Sequence, residues 1–133
     1  MGKIIVNVDW NGNYAAAPEN DDIACVATGH SLDELKANMV EALGFHKEGL
    51  MDAGYEVPAE LAGDLDIDWH LSTRALLHYT EKLVPRTAIA KATGINLQQL
   101  THYASGWRNP RPEMRKRILD GVHKIGEELT AIS

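Results

Sequence analysis

The sequence predicts an α+β protein in two parts, a small sheet with one helix followed by helices alone. Three observations lead there. Residues 1–71 contain short alternating or β-branched runs divided by turn residues. A long apolar stripe at helical spacing lies among them, after a capping signal. From Pro85 onward the chain carries helical stripes punctuated by Gly94, Gly106, Pro110 and Pro112. The expected domains are residues 1–71 and 72–133.

Residues 3–9 (KIIVNVD) alternate and are rich in β-branched side chains, which predicts a strand. Asn11-Gly12-Asn13 is a hairpin signal. Residues 14–17 begin a second strand. Residues 18–22 read as a polar turn and residues 23–28 (IACVAT) as a third strand, broken by Gly29. Ser31 and Glu34 form an S-x-x-E capping box. Leu32, Leu35, Met39, Leu43, His46 and Leu50 then mark one helical face. Gly44 inside this helix costs about 1 kcal/mol relative to Ala and suggests a bend or close packing. Gly54 and Pro58 end the element. In residues 64–71 (DLDIDWHL), Leu65, Ile67, Trp69 and Leu71 alternate with Asp64, Asp66, Asp68 and His70, a strand with one apolar and one polar face. The order is βββαβ, an antiparallel-rich sheet with a helix laid on one face.

Residues 85–110 (PRTAIAKATGINLQQLTHYASGWRNP) read as two short helices, a tight turn and a basic loop. Pro85 suits a first helical turn. Ile89 and Ala90 face inward, and Ala90 is small enough for close packing. Gly94 supplies the positive φ that ends the first helix. Ile95 plugs the turn, and Asn96 caps the next helix. Leu100 and Tyr103 follow on its buried side, and Gly106 ends it. Thr93 stands where an apolar residue is usual. This is the pattern of a helix-turn-helix, an arrangement that sets its second helix in the DNA major groove. The exposed positions then assign base reading to Gln98, Gln99, Thr101 and His102. Gln bonds bidentately to adenine, and Thr reaches several base edges. Phosphate contacts fall to Arg86, Thr87, Asn96, Arg108 and Arg111, with the helix N-terminus at Asn96 adding its dipole. Trp107 packs either on the sugar–phosphate backbone or back on its own domain.

After Pro112 a helix runs to about residue 129. Met114, Ile118, Val122, Ile125, Leu129 and Ile132 form its stripe. That is longer than one small core needs, so residues 122–132 are assigned to a homodimer interface, with Gly121 and Gly126 permitting close approach. A dimer would set two recognition helices roughly 34 Å apart.

The net charge is −6, which by itself argues against nucleic acid. Its distribution reverses that. Residues 1–70 hold three basic and fourteen acidic residues, a net −11, whereas residues 71–133 hold ten basic and five acidic, a net +5. Residues 82–117 carry eight basic side chains and one acidic one, Glu113, a density suited to phosphates. The acidic part suits a basic partner. No run of 18 apolar residues marks a membrane span, and the N-terminus lacks the features of a signal peptide. The single Cys25 has no internal partner, reads as a small buried apolar side chain and fits a reducing cytoplasm.

Three motifs carry a family resemblance. Residues 12–18 (GNYAAAP), 28–34 (TGHSLDE) and 38–42 (NMVEA) resemble, in order, the G-x-Y-x-A-x-x-P, G-x-[ST]-x-x-E-A and N-x-x-E-A motifs of HicB antitoxins. The resemblance covers nearly the whole chain. It implies a βββαβ, partial ribonuclease-H-like domain that binds and blocks HicA, a small basic ribonuclease acting on mRNA. It also implies a C-terminal domain that represses the operon, here of the helix-turn-helix kind and similar to the Cro/repressor group. Two departures stand out: ENDDIA then Cys25 replaces the usual Leu-Pro-Gly-Cys, and Glu34-Leu35 replaces a Glu-Ala pair. An acidic inhibitor gains on-rate against a basic ribonuclease, so the −11 half agrees with the resemblance.

The expected partners are therefore operator DNA, a HicA-like toxin and a second copy of the chain, with no membrane. The alternative is a stand-alone helix-turn-helix regulator whose N-terminal domain senses a ligand or a protein. A third reading, a metal-dependent nuclease using Asp9, Asp64, Asp66 and Asp68, competes with the plainer view that the last three line a solvated strand face. The six His residues have no zinc spacing, and no Gly-rich phosphate loop or Ser/His/Asp set is present. The expectation is a non-enzyme without cofactor or metal.

Overall fold

Four strands and five α-helices make up an α+β chain in the computed structural model, which describes residues 2–133. The chain divides into two compact units, one ending at Ser72 and the other beginning at Thr73.

The first unit contains β1 (Ile4–Trp10), β2 (Tyr14–Pro18), β3 (Ala27–Gly29), α1 (Leu32–Asp52) and β4 (Ile67–Leu71). The sheet order is β3-β2-β1-β4. The β1–β2 and β2–β3 pairs are antiparallel, whereas β4 runs parallel to β1, so the sheet is mixed. Two-residue periodicity decides what is buried. Ile4, Val6 and Val8 are buried and Asn7 and Asp9 exposed; Tyr14 and Ala16 continue the inner face on β2. The β1–β2 turn closes with Gly12 at φ +85° and a bond from Asn11 N–H to Asn13 O of 3.0 Å. Leu32, Leu35, Met39 and Leu43 of α1 cover the core. The helix starts where Ser31 Oγ accepts from Glu34 N–H at 3.1 Å.

Gly29 belongs to β3 rather than breaking the strand. A β-carbon there would lie 2.6 Å from Leu35 N, so the first turn of α1 rests directly on this glycine. The third strand is also shorter than its sequence suggests, because residues 23–26 form no ladder. Ile23 N–H instead closes a turn onto Asn20 O at 3.1 Å, and the Ile23 side chain is buried there. Apolar anchoring of a loop has the same sequence signal as a strand. Gly44 is exposed with nothing within 4 Å of its β-carbon position, so no close packing explains it. The fully buried stripe of α1 stops at Leu43, with His46 and Leu50 half-buried. β4 starts at Ile67, which leaves Asp64, Leu65 and Asp66 outside the strand. Cys25 is half-buried, and burial pushes its thiol up from the ordinary value.

The second unit contains α2 (Thr73–Thr80), α3 (Arg86–Thr93), α4 (Leu97–Ser105) and α5 (Pro112–Thr130). Leu77, Ile89, Ile95, Leu100, Tyr103 and Ile118 form its core. The sequence carries no clear signal for helix α2: Ala75, Leu76 and Leu77 are contiguous, so eight residues give no clear 3.6-residue repeat. Pro85 is the N-cap of α3 rather than a residue within its first turn. Gly94 ends α3 at φ +72°, and Gly106 ends α4 at φ +80°. Asn96 Oδ1 caps α4 by accepting from Gln98 N–H at 2.8 Å. Ile89 is fully buried but Ala90 only half so.

Thr93 is buried with its hydroxyl satisfied. Oγ1 donates to Ile89 O at 2.7 Å and accepts from Ile95 N–H at 3.2 Å. The residue that departs from the usual apolar pattern thus ties the end of α3 to the turn. Arg117 of α5 adds a bond from Nε to Thr93 O at 2.8 Å. Gly121 lies against the same threonine: a β-carbon there would overlap the Thr93 γ-methyl. The close approach at Gly121 therefore serves packing within the chain, and nothing approaches Gly126 within 4 Å. Among the described residues no helix is long and apolar enough to cross a membrane.

Candidate nucleic-acid interface

The exposed side of α4 follows from its amphipathic spacing. Leu100 and Tyr103 point inward, so Gln98 and Thr101 face solvent. The four residues assigned to base reading are not equivalent. Gln98 is exposed, and its own N–H is used by the Asn96 cap. Gln99 is half-buried and donates from Nε2 to the Tyr103 hydroxyl at 2.7 Å. Thr101 is exposed, but Oγ1 donates to Leu97 O at 3.0 Å and accepts from Arg86 Nη1 at 3.1 Å. His102 is half-buried, with its imidazole edge-on to the Trp107 indole at a centroid distance of 4.3 Å and 80° between planes. Gln98 is the least committed of the four.

The phosphate-contact candidates also divide. Arg86 is half-buried and directs its guanidinium at Glu81 as well as at Thr101. It bridges the chain before α3 to α4, which makes it a scaffold for the helix pair. Thr87 is exposed in the first turn of α3, and Asn96 is exposed at the N-terminus of α4. Arg108 is exposed, with its guanidinium carbon 5.6 Å from the Trp107 ring centroid. Arg111 is exposed at the N-cap of α5. Arg108 and Arg111 share a cleft of about 540 Å³ with Gln99, Tyr103 and Arg117. Three guanidiniums in one concavity give it a positive field, offset in part by Glu113 on the same wall.

Arg117 and Trp107 are the contributors that spacing alone did not assign. Arg117 lies on the polar side of α5, where its charge is visible but its reach to Thr93 O is not. Trp107, for which the spacing allows two placements, is 69% exposed, and its indole stands at 80° to the His102 imidazole. On α2, burial and then the positive charge of Lys82 push the His78 imidazole below its ordinary value.

The first unit presents a different chemistry. Helix α1 exposes Val40, Phe45 and Met51 along with Glu41, Glu48 and Asp52. On the sheet, Asp68 Oδ2 lies 3.1 Å from His70 Nε2, and Ser72 Oγ donates to Asp9 Oδ1 at 2.6 Å. Asp64 and Asp66 do not share the strand with Asp68. Among the described residues no group of three or more His, Cys, Asp or Glu side chains is placed to hold a metal ion.

No family model, curated protein or solved structure matches the chain.

Proposed function

We propose that this chain is a dual-purpose antitoxin of the HicB type. In this reading the unit from Thr73 to Ser133 is a helix-turn-helix that represses the chain's own operon. The acidic unit ending at Ser72 holds and neutralises a small basic ribonuclease. One observation carries the DNA-binding half: α4 is capped by Asn96, set after a left-handed Gly94, and exposes Gln98 within a segment of eight basic residues and one acidic one. Backbone charges give affinity for any duplex, and the exposed helix face adds preference for one.

The toxin-binding half rests on charge and on α1. Exposed Val40, Phe45 and Met51 next to Glu41, Glu48 and Asp52 combine apolar contact with acidic steering. The homodimer rests on the distal end of α5 and the residues after it: Leu129 is 57% exposed on the helix, and Ile132, which lies beyond the helix end at Thr130 rather than on its stripe, is 73% exposed. Two copies would pair these faces and present two α4 helices to a near-palindrome.

The deciding experiment has two arms. A duplex from the chain's own upstream region should bind more tightly than an unrelated duplex of equal length. The purified chain should also form a stable complex with the small basic protein encoded beside it and abolish that protein's RNA cleavage. DNA binding without such a complex would leave the stand-alone regulator. Failure to bind any duplex at low salt would overturn the DNA-binding half.

A further inference from the structure

The loop after α4 carries an indole for which spacing leaves two placements, on a sugar–phosphate backbone or back on its own domain. Trp107 is 69% exposed, yet its position is fixed from three sides. Its backbone N–H donates to Ser105 Oγ at 3.3 Å. The next N–H, of Arg108, donates to His102 O at 3.2 Å. Gly106 turns the chain at φ +80°, with the Arg74 guanidinium packed so closely that a β-carbon would lie 2.9 Å from its central carbon. The indole meets the imidazole of His102 edge-on, and His102 follows Gln98 by one helical turn on the same side of α4. The Trp107 ring therefore extends the exposed stripe of α4 beyond its last residue. Arg108 holds its cation 5.6 Å from that ring, so a flat apolar surface and a positive charge are presented together.

We infer that Trp107 and Arg108 form a platform for the sugar–phosphate backbone of duplex DNA, with the indole covering a deoxyribose and the guanidinium taking the adjoining phosphate. The inference rests on the reading of this unit as DNA-binding. An exposed Trp–Arg pair also suits a protein interface; the surrounding charge decides between them. Residues 82–117 carry a single carboxylate among eight cations, which matches a polyanion. Sugar and phosphate contacts carry no base information, so this platform sets affinity and register while Gln98 sets preference.

The test uses the full chain and a fluorescently labelled 25-base-pair duplex of arbitrary sequence at low salt, read by anisotropy over a salt series. Trp107→Ala should weaken binding about five- to tenfold, in the range of a lost aromatic contact to nucleic acid. The loss should be equal on unrelated sequences, with the salt slope unchanged. Trp107→Phe should recover most of it. Arg108→Ala should weaken binding and also reduce the slope by about 0.9, one phosphate's worth. Quenching of the protein's tryptophan emission by unlabelled duplex should shrink in Trp107→Ala. If the wild type binds and Trp107→Ala binds equally well with equal quenching, the platform is wrong while the DNA-binding reading stands. If the wild type binds no duplex, both fall.

Discussion

The Thr93 γ-methyl fills the space that a side chain at Gly121 of α5 would take: a β-carbon at 121 would overlap that methyl. Thr93 cannot simply rotate away, because its hydroxyl donates to Ile89 O and accepts from Ile95 N–H. The end of α3, the turn and the middle of α5 are locked by this one contact and by the Arg117 bond to Thr93 O. Gly121→Ala should therefore destabilise the unit by about 1–2 kcal/mol. The overpacking cost of about 1–3 kcal/mol exceeds the helix propensity gained over Gly, up to about 1 kcal/mol. Urea unfolding followed by helical circular dichroism reads the effect, and an unchanged or raised midpoint would contradict this packing.

A second glycine does the same work in the other unit with a harder neighbour. The β-carbon position of Gly29 lies 2.6 Å from Leu35 N and 2.9 Å from Leu35 Cα. Those are backbone atoms that cannot rotate aside. Gly29→Ala should shift α1 on the sheet and cost about 3 kcal/mol, the upper part of the overpacking range. Gly44→Ala, in open space on the same helix, should instead stabilise by up to about 1 kcal/mol. The opposite signs are checked by the melting temperatures of the two variants.

The α4 side chains should separate in a binding assay. Gln98→Ala should change sequence preference at one base position by about 1–3 kcal/mol. Gln99→Ala should change it far less, because the Gln99 amide is bonded to Tyr103. Selection from a randomised duplex pool with each variant reads this directly. Equal changes from both would mean that Gln99 leaves Tyr103 on binding.

His78 contributes a pH dependence of known sign. Its imidazole is held below the ordinary value of 6.5 by burial and by Lys82. The folded state thus resists protonation more than the unfolded chain does. Stability from this group is complete above pH 6.5 and is lost as pH falls from there through the lowered folded value. His78→Gln should lose less stability than the wild type between pH 7 and pH 5, measured by thermal melts at each pH. An identical pH profile would show that His78 does not titrate on unfolding.

The distal part of α5, with Ile132 just beyond its end, makes a prediction about mass. Val122 and Ile125 are half-buried while Leu129 and Ile132 are largely exposed. Light scattering at micromolar concentration should give a dimer, and Leu129→Asp with Ile132→Asp should give a monomer that keeps its helical content. A monomeric wild type would leave this face without the proposed second copy.

Much of the fold was legible because the signals were local. The alternation of Ile4, Val6 and Val8, the Asn11-Gly12-Asn13 turn, the Ser31 cap, Gly94, Asn96 and Gly106 each act through a few neighbouring dihedrals. What misled was also local. The run containing Ile23 has the composition of a strand, yet its backbone closes a turn while the side chain is buried. Residues 73–80 concealed a helix because eight residues with contiguous apolar positions show no period.

The assigned DNA-contact residues were legible as exposed polar positions and no further. Spacing placed Gln98 and Gln99 together on α4, but a hydrogen bond to Tyr103 distinguishes them. Arg86 reads as one more cation, but Glu81 and Thr101 occupy its guanidinium.

By itself the sequence determined the α+β class, most element boundaries, the helix caps and the separation of acidic from basic halves. These depend on residue type and short-range geometry alone. Only the tertiary structure decided the parallel pairing of β4 with β1, the fit of Gly29 under α1, the fit of Gly121 against Thr93, and which polar side chains of α4 remain uncommitted. Each of these depends on residues brought within a few ångströms by folding, often from distant parts of the chain, and residue spacing carries no record of that distance.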